Sequence, residues 1–389
     1  MTRRKVLIAR SVVYAILTSL PNGNPARKAS IISRAFRLFN LFWLTFRLLR
    51  SDLFRVLREA WEIKEEGYRA SFGAESIEHG DRNSNRRQRR RAKNKDVLQA
   101  MGDMGYSGST FFRTSDGAYV VKSIPRRFEH DFFKNELLLP YAEYMLQNPA
   151  SLLVRITDLL ETTHKSIGEV LGLAPSHHIV MENILHGQGH EPEDGSRREW
   201  EFWDLKPISF FYPERDVAGG ALATEATKSK LADKFEGKIK LTRADATQLQ
   251  ETLEKDTRLL ANSNAVDYSL FLVRISAADR SAPESQLPFE PGEETDELIP
   301  LAQPLCSPPN SPTWRTGILS SDGTEEYRAA ILDFFWAKHT LHAKIMTGLV
   351  RGYNLIDEQG PMSITAETDE YRERFLTMCK DLVEIEESV

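Results

Sequence analysis

Two cysteines in 389 residues, Cys306 and Cys379, cannot build a disulfide framework, and Cys306 lies among prolines and serines. That scarcity excludes a small stapled extracellular scaffold and points to a reducing, intracellular compartment. Long apolar runs are missing as well. Residues 6–20 form an apolar stretch, but Arg10 interrupts it, and it falls short of the ~20 residues that cross a bilayer. Arg3, Arg4 and Lys5 ahead of it give the outline of a secretory signal, at odds with the cytosolic character of the rest. No GxxxxGK[ST] loop, GxSxG elbow or HRDxxxxN loop occurs, and position 272 is Leu where the Asn of that last loop would fall. A P-loop NTPase, an α/β-hydrolase and an ordinary protein kinase are thereby set aside. His177-His178 and His339/His342 have no third ligand at a metal-binding spacing, so the first pair reads as flanking a strand and the second a helix.

What is present is unevenly distributed. The net charge of −5 hides 22 Lys/Arg against 9 Asp/Glu in residues 1–100, about +13, which leaves about −18 for the remainder. A basic arm on an acidic body suits an anionic partner, membrane lipid or nucleic acid. Within the arm, Phe36, Phe39, Phe42, Trp43, Phe46, Leu49, Leu53, Phe54, Leu57 and Trp61 recur at helical spacing. Arg34, Arg37, Arg47, Arg50, Arg55 and Arg58 punctuate them. This pattern over 31–66 predicts an amphipathic helix, either lying in a membrane interface or packed on the folded core with its arginines reaching water. Residues 82–95, a solvated basic run, read as a linker, a lipid patch or a nuclear import signal.

Length implies two lobes, each with its own core. The sequence predicts an arm and linker over 1–96, a first lobe over 97–185 and a second over 186–389. Strands around a Ser115-Asp116-Gly117 turn form a hairpin over 106–124, followed by a helix at 129–147 and strands at 151–158 and 178–184. The second lobe opens on a strand near Trp200, with helices at 219–235 and 242–264, β character at 314–334 and a helix at 368–386. Residues 276–313, rich in Pro, Ser and acid, read as a disordered insertion.

Phosphoryl transfer from ATP asks a protein for a lid over the phosphates, a lysine on them, an acid to orient the nucleophile and an acid on the metal. YSGSTFF at 106–112 puts small residues at a hairpin tip, where backbone N–H groups can meet phosphate oxygens. VVKSI at 120–124 then sets Lys122 in a strand between apolar neighbours.

NPASLLVRI at 148–156, HHIVMEN at 177–183, WDLKPIS at 203–209, AVDYSLFL and AILDFF complete an ordered series. It resembles the phosphatidylinositol phosphate kinase family, whose fold is shared with SAICAR synthetases and inositol polyphosphate kinases; the family blocks are an IIK strand, NPxTLL, VVM, DLKGS, MDYSL and IID. The resemblance spans about 101–385 and implies an α+β, two-lobed fold of antiparallel sheets with packed helices, preceded here by a helical arm. It further implies ATP and Mg²⁺ as cofactors and an inositol-lipid headgroup as substrate, at the cytoplasmic face of a membrane, with nuclear residence as an option and nucleic acid not a partner.

Carried over by motif, Ser107, Gly108 and Ser109 cover the phosphates and Lys122 holds them, with Glu129 or Glu136 as the acid that pairs with it. Met181, Glu182 and Asn183 form the adenine hinge. Asp267 is the catalytic acid and Asp333 the metal ligand. Asp204 and Lys206 stand by the cleft for metal, phosphate or headgroup, while Lys338 and Lys344 face the substrate. Read without the family, Asp267 is a helix-capping acid and Asp333 a strand-end acid. The DLKGS block is DLKPIS here, so Pro207-Ile208 stiffens a segment that is flexible in the family. Two alternatives to the lipid kinase stand beside it: a weak or inactive membrane-bound scaffold, and a kinase of a soluble inositol phosphate or other metabolite.

Overall fold

The structure is a computed structural model and describes residues 2–19, 44–74, 97–101, 109–163, 174–189, 198–207, 235–277, 313–338 and 366–385. The fold is α+β, as expected, with two main antiparallel sheets. Its elements in chain order are α1 (Arg3–Thr18), β1 (Phe46–Leu49), α2 (Ser51–Ala60), α3 (Glu65–Ser71), β2 (Leu98–Ala100), β3 (Phe111–Thr114) and β4 (Tyr119–Ser123). Next come α4 (Arg127–Phe132), a π turn (Phe133–Leu137), α5 (Leu138–Gln147), β5 (Ile156–Thr162), β6 (His177–Glu182), β7 (Arg198–Leu205), β8 (Ile239–Leu241) and α6 (Arg243–Asn262). The chain closes with β9 (Ala265–Val266), β10 (Ser269–Ala277), β11 (Ile318–Leu319), β12 (Glu325–Leu332), β13 (Trp336–Ala337), α7 (Thr368–Asp381) and β14 (Val383–Ile385). Among the described residues no helix is long and apolar enough to cross a membrane.

The first sheet has the order β1-β5-β6-β4-β3-β2, the second β11-β12-β10-β7. The β3–β4 hairpin forms where Asp116 and Gly117 favour it. Asp116 Oδ1 accepts from Thr114 Oγ1 and the Ala118 N–H at 2.6 and 3.0 Å, and Gly117 takes φ +73°. The helix expected at 129–147 is present from 127, with a π turn in its middle. The strand expected at 151–158 begins later. Residues 152–154 instead join the lobes: the Val154 N–H donates to Ile331 at 3.1 Å and the Ile331 N–H to Leu152 at 2.7 Å.

The largest departure from expectation lies ahead of residue 97. The described part of the supposed arm is built onto the six-stranded sheet and into the main hydrophobic core. Phe46–Leu49 pair with Leu159–Thr162 as an edge strand, so 31–66 is not one helix. Phe46, Phe54, Leu57, Trp61, Tyr68 and Phe72 are buried, and α1 buries Ile8, Val12, Ala15 and Ile16 against the same core. Arg58 is buried too, with Nη1 on the Thr157 carbonyl at 2.7 Å and 3.3 Å from Asp158. Tyr68 donates to the other Asp158 oxygen at 2.6 Å. Of the two readings of the amphipathic pattern, packing on the core holds for residues 46–61. Residues 31–43 and the run 82–95 lie outside the described residues, as do the predicted helix at 219–235 and all of the insertion except 276–277 and 313. Those three residues are structured: β10 extends to Ala277, and Thr313 opens a turn.

Candidate active site

The Cα partners of β10 and β12 end at Ser269 and Leu332, and those of β9 and β13 resume at Val266 and Trp336. Both strand pairs therefore break at the same level. Asp267 sits in one break and Asp333 in the other, each with left-handed backbone, φ 65° and 62°. Few residues other than glycine adopt that conformation readily, and Asp and Asn are the usual exceptions. Such turns mark functional sites often enough to justify looking at what they aim.

They face the first sheet. Lys122, on β4 opposite Ile179, reaches across to Asp333 Oδ1 and forms an ion pair. Its ammonium also lies 5.4 Å from the Phe111 ring centroid. Lys206, just beyond β7, meets Asp267 Oδ2 at 3.1 Å. Asp204 stands opposite Phe271 on the β7–β10 ladder. A cleft opens between the sheets, lined on its polar side by Lys122, Asp204, Asp333, Glu182 and Asn183. Met101, Phe111, Val120, Met181, Ile184, Leu185, Phe271 and Leu332 give it an apolar side. An apolar wall with a few convergent polar groups is the lining that small-molecule sites use.

The charges in the cleft are strongly coupled. Burial raises the Asp333 carboxyl, but Lys122 at contact outweighs it, with Lys206 and Arg126 helping, so the group sits below the ordinary carboxylate value. For Asp204 burial prevails: its pKa is raised, Asp333 adding to the rise. Burial would lower Lys206, yet Asp267, Asp204 and Asp333 together hold it above the usual lysine value. Asp204 Oδ1 is buried without a hydrogen-bond partner among the described residues. A carboxylate oxygen without a partner, beside the half-buried carboxylate of Asp333, has the donor chemistry of a Mg²⁺ site, since that ion takes one or two carboxylates and completes its shell with water and phosphate.

Glu129 does not pair with Lys122 here; it takes Arg126 at 2.9 Å. Burial raises its pKa, with Lys122 close enough to oppose the rise. Glu136, in the π turn, is exposed. Of the two acids, only Glu129 is near the lysine. Ser109 is buried at the start of β3, whereas Ser107, Gly108 and Lys344 lie outside the described residues. Lys338 was expected to face the substrate. It pairs with Glu367 ahead of α7 and does not line the cleft.

The segment expected to form the hinge is tied into a buried ion pair. Glu182, which borders the cleft, pairs with buried Arg315, and its Oε1 also accepts the Arg155 N–H at 2.8 Å. Asn183 Nδ2 donates to the Gly117 carbonyl at 2.6 Å, tying hinge to hairpin. Arg315 further bonds the carbonyls of Ser151 and Leu153, the latter at 2.6 Å. No signal near Arg315 in the sequence marks it, because it follows a segment of low complexity and its partner is 133 residues away.

A sequence model of the family described as Phosphatidylinositol-4-phosphate 5-Kinase matches residues 92–382. The human protein named phosphatidylinositol 4-phosphate 5-kinase type-1 beta is 28% identical over 258 residues, 64% of this chain and 38% of the human protein. The chain thus spans about two fifths of that relative's length. With Lys122, Asp204 and Asp333 lining one cleft, the Lys206–Asp267 pair beside them, and the family match covering well over half of the sequence, this chain belongs to the phosphatidylinositol-4-phosphate 5-kinase family, as a diverged member.

Proposed function

We propose that the chain is an ATP- and Mg²⁺-dependent kinase of an inositol-lipid headgroup, working at a membrane surface. The observation that carries this reading is the meeting of two lysines and three aspartates around one cleft with an apolar wall. The apolar wall and the segment Met181–Asn183 take the adenine. Lys122 exchanges Asp333 for the α/β-phosphates when nucleotide enters. Asp333 and Asp204 would hold Mg²⁺, which would supply neutralising charge to the phosphate oxygens. Asp267 orients the acceptor hydroxyl and takes its proton as the hydroxyl oxygen bonds to the γ-phosphorus and ADP leaves. Lys206, released from Asp267, moves onto the transferring oxygens. Glu129 turns from Arg126 to Lys122.

A panel of phosphoinositides in vesicles, with labelled ATP and Asp267→Asn as control, tests the reading. Transfer to an inositol lipid that the variant loses by more than ~100-fold supports it. Transfer only to soluble inositol phosphates, or no transfer at all, overturns it. One observation favours a second reading, a nucleotide-binding scaffold without transfer: Lys206 closes on the acid that must receive the proton, next to Pro207 where the family has glycine. Mg²⁺-dependent ATP binding without turnover would select it.

A further inference from the structure

A second polar cluster lies away from the cleft. Glu161 and His177 are Cα partners on β5 and β6, and Arg47 stands opposite Glu161 on β1, so the sheet register sets the three in a row. α4 then lays His130 over His177. The two imidazoles are face to face, 3.8 Å between centroids and 23° between planes. One ligand atom from each of His130, Glu161 and His177 lies within 4.8 Å of the other two.

The outer contacts of the cluster are those a metal site uses. His130 Nδ1 meets Asp131 Oδ1 at 3.2 Å, and His177 Nδ1 meets Ser176 Oγ at 2.9 Å. A partner on one ring nitrogen orients the ring and leaves the other as ligand. His130 is 0% exposed, and its Nε2 has no hydrogen-bond partner among the described residues. A buried imidazole nitrogen left empty costs free energy unless something occupies it. Arg47 and Lys134 both hold Glu161 through Oε2, at 3.0 and 3.2 Å, which leaves Oε1 for an ion.

We infer that His130, Glu161 and His177 bind a divalent transition metal, zinc being the ion best matched to two imidazoles and one carboxylate with an open fourth position. Occupancy fastens α4 to the β5–β6 pair. Because α4 also carries Glu129, the ion would fix the helix whose movement toward Lys122 the phosphotransfer reading requires, yet binding itself is independent of that reading.

The test uses the full chain, stripped with a chelator and without nucleotide. Cobalt(II) is titrated as a visible probe, and zinc is read by its displacement. Wild type should take up one equivalent with d–d absorption, and zinc should raise its unfolding temperature. Asp131→Asn, which touches the ion only through His130, should weaken binding ~10–100-fold, while Glu161→Gln and His177→Asn should weaken it further. X-ray absorption on zinc-loaded wild type should count two imidazoles, a reading that stands even if a ligand variant fails to fold. Binding equally strong in all variants, or a zinc shell with fewer than two imidazoles, overturns the inference. So does an unfolding temperature that zinc leaves unchanged.

Discussion

Replacing Glu182 with Gln removes one charge from the hinge and little else. The amide oxygen can still accept the Arg155 N–H that Glu182 Oε1 receives at 2.8 Å. Arg315 keeps its two carbonyl acceptors, on Ser151 and Leu153. What it loses is the carboxylate, in a site where its side chain is 6% exposed. Breaking a buried pair from one side costs about 3–5 kcal/mol, because the remaining ion is still desolvated. The retained hydrogen bonds place Glu182→Gln near the lower end, about 3 kcal/mol. At ~2–4 °C per kcal/mol for a domain of this size, the unfolding temperature should fall by roughly 6–12 °C. Urea unfolding followed by tryptophan fluorescence measures the loss. The double variant Glu182→Gln/Arg315→Met should recover most of it, since an apolar replacement for the whole pair leaves no orphaned ion. A single-variant loss under about 1 kcal/mol would refute the reasoning. So would a double variant whose loss is simply the sum of the two singles.

Lys122→Met should abolish Mg²⁺-dependent ATP binding, read by calorimetry, while circular dichroism stays unchanged. Asp204→Asn should weaken the Mg²⁺ requirement's midpoint more than it weakens metal-free nucleotide binding, in a titration of magnesium at fixed ATP. Tyr68→Phe deletes a buried hydrogen bond to Asp158 and should cost about 1–2 kcal/mol in urea unfolding, a loss that residues outside the folded core would not cause. Asp256 is pushed up to about 6 by burial, against the hydrogen bonds from Tyr144 and Leu152. Its folded value lies above its unfolded one, so the native state binds the extra proton between about pH 6 and 4, and stability is gained as pH falls through that window. Wild type should therefore gain on Asp256→Asn by about 1 kcal/mol between pH 7 and 5, measured by urea unfolding at each pH.

Part of this was legible from the chain alone. Asp116-Gly117 between alternating apolar residues signals the hairpin, and Lys122 in VVKSI follows from its register. Asp267 and Asp333 came from motif blocks, and local pattern would have made both of them ordinary end-of-element acids. The helical spacing from Phe46 to Trp61 misled, because an apolar stripe looks the same to lipid as to a protein core. Arg50, at φ 49°, breaks that stripe between strand and helix, and nothing in its neighbours announces the turn. Interactions that join distant segments were beyond reach: Arg58 with Asp158, Glu182 with Arg315, and His177 with Glu161 and His130.

The left-handed turns at Asp267 and Asp333 bear on how divergence in this family can be read. Geometry and chemistry ask for the same residue at both places, since aspartate is among the few side chains that the turn accepts at a small penalty. A descendant that ceased to transfer phosphate would still be held to Asp, Asn or Gly there by the fold. Retention of the two acids is thus weak testimony to turnover, whereas Lys122, under no such conformational demand, would be free to drift once its task was gone.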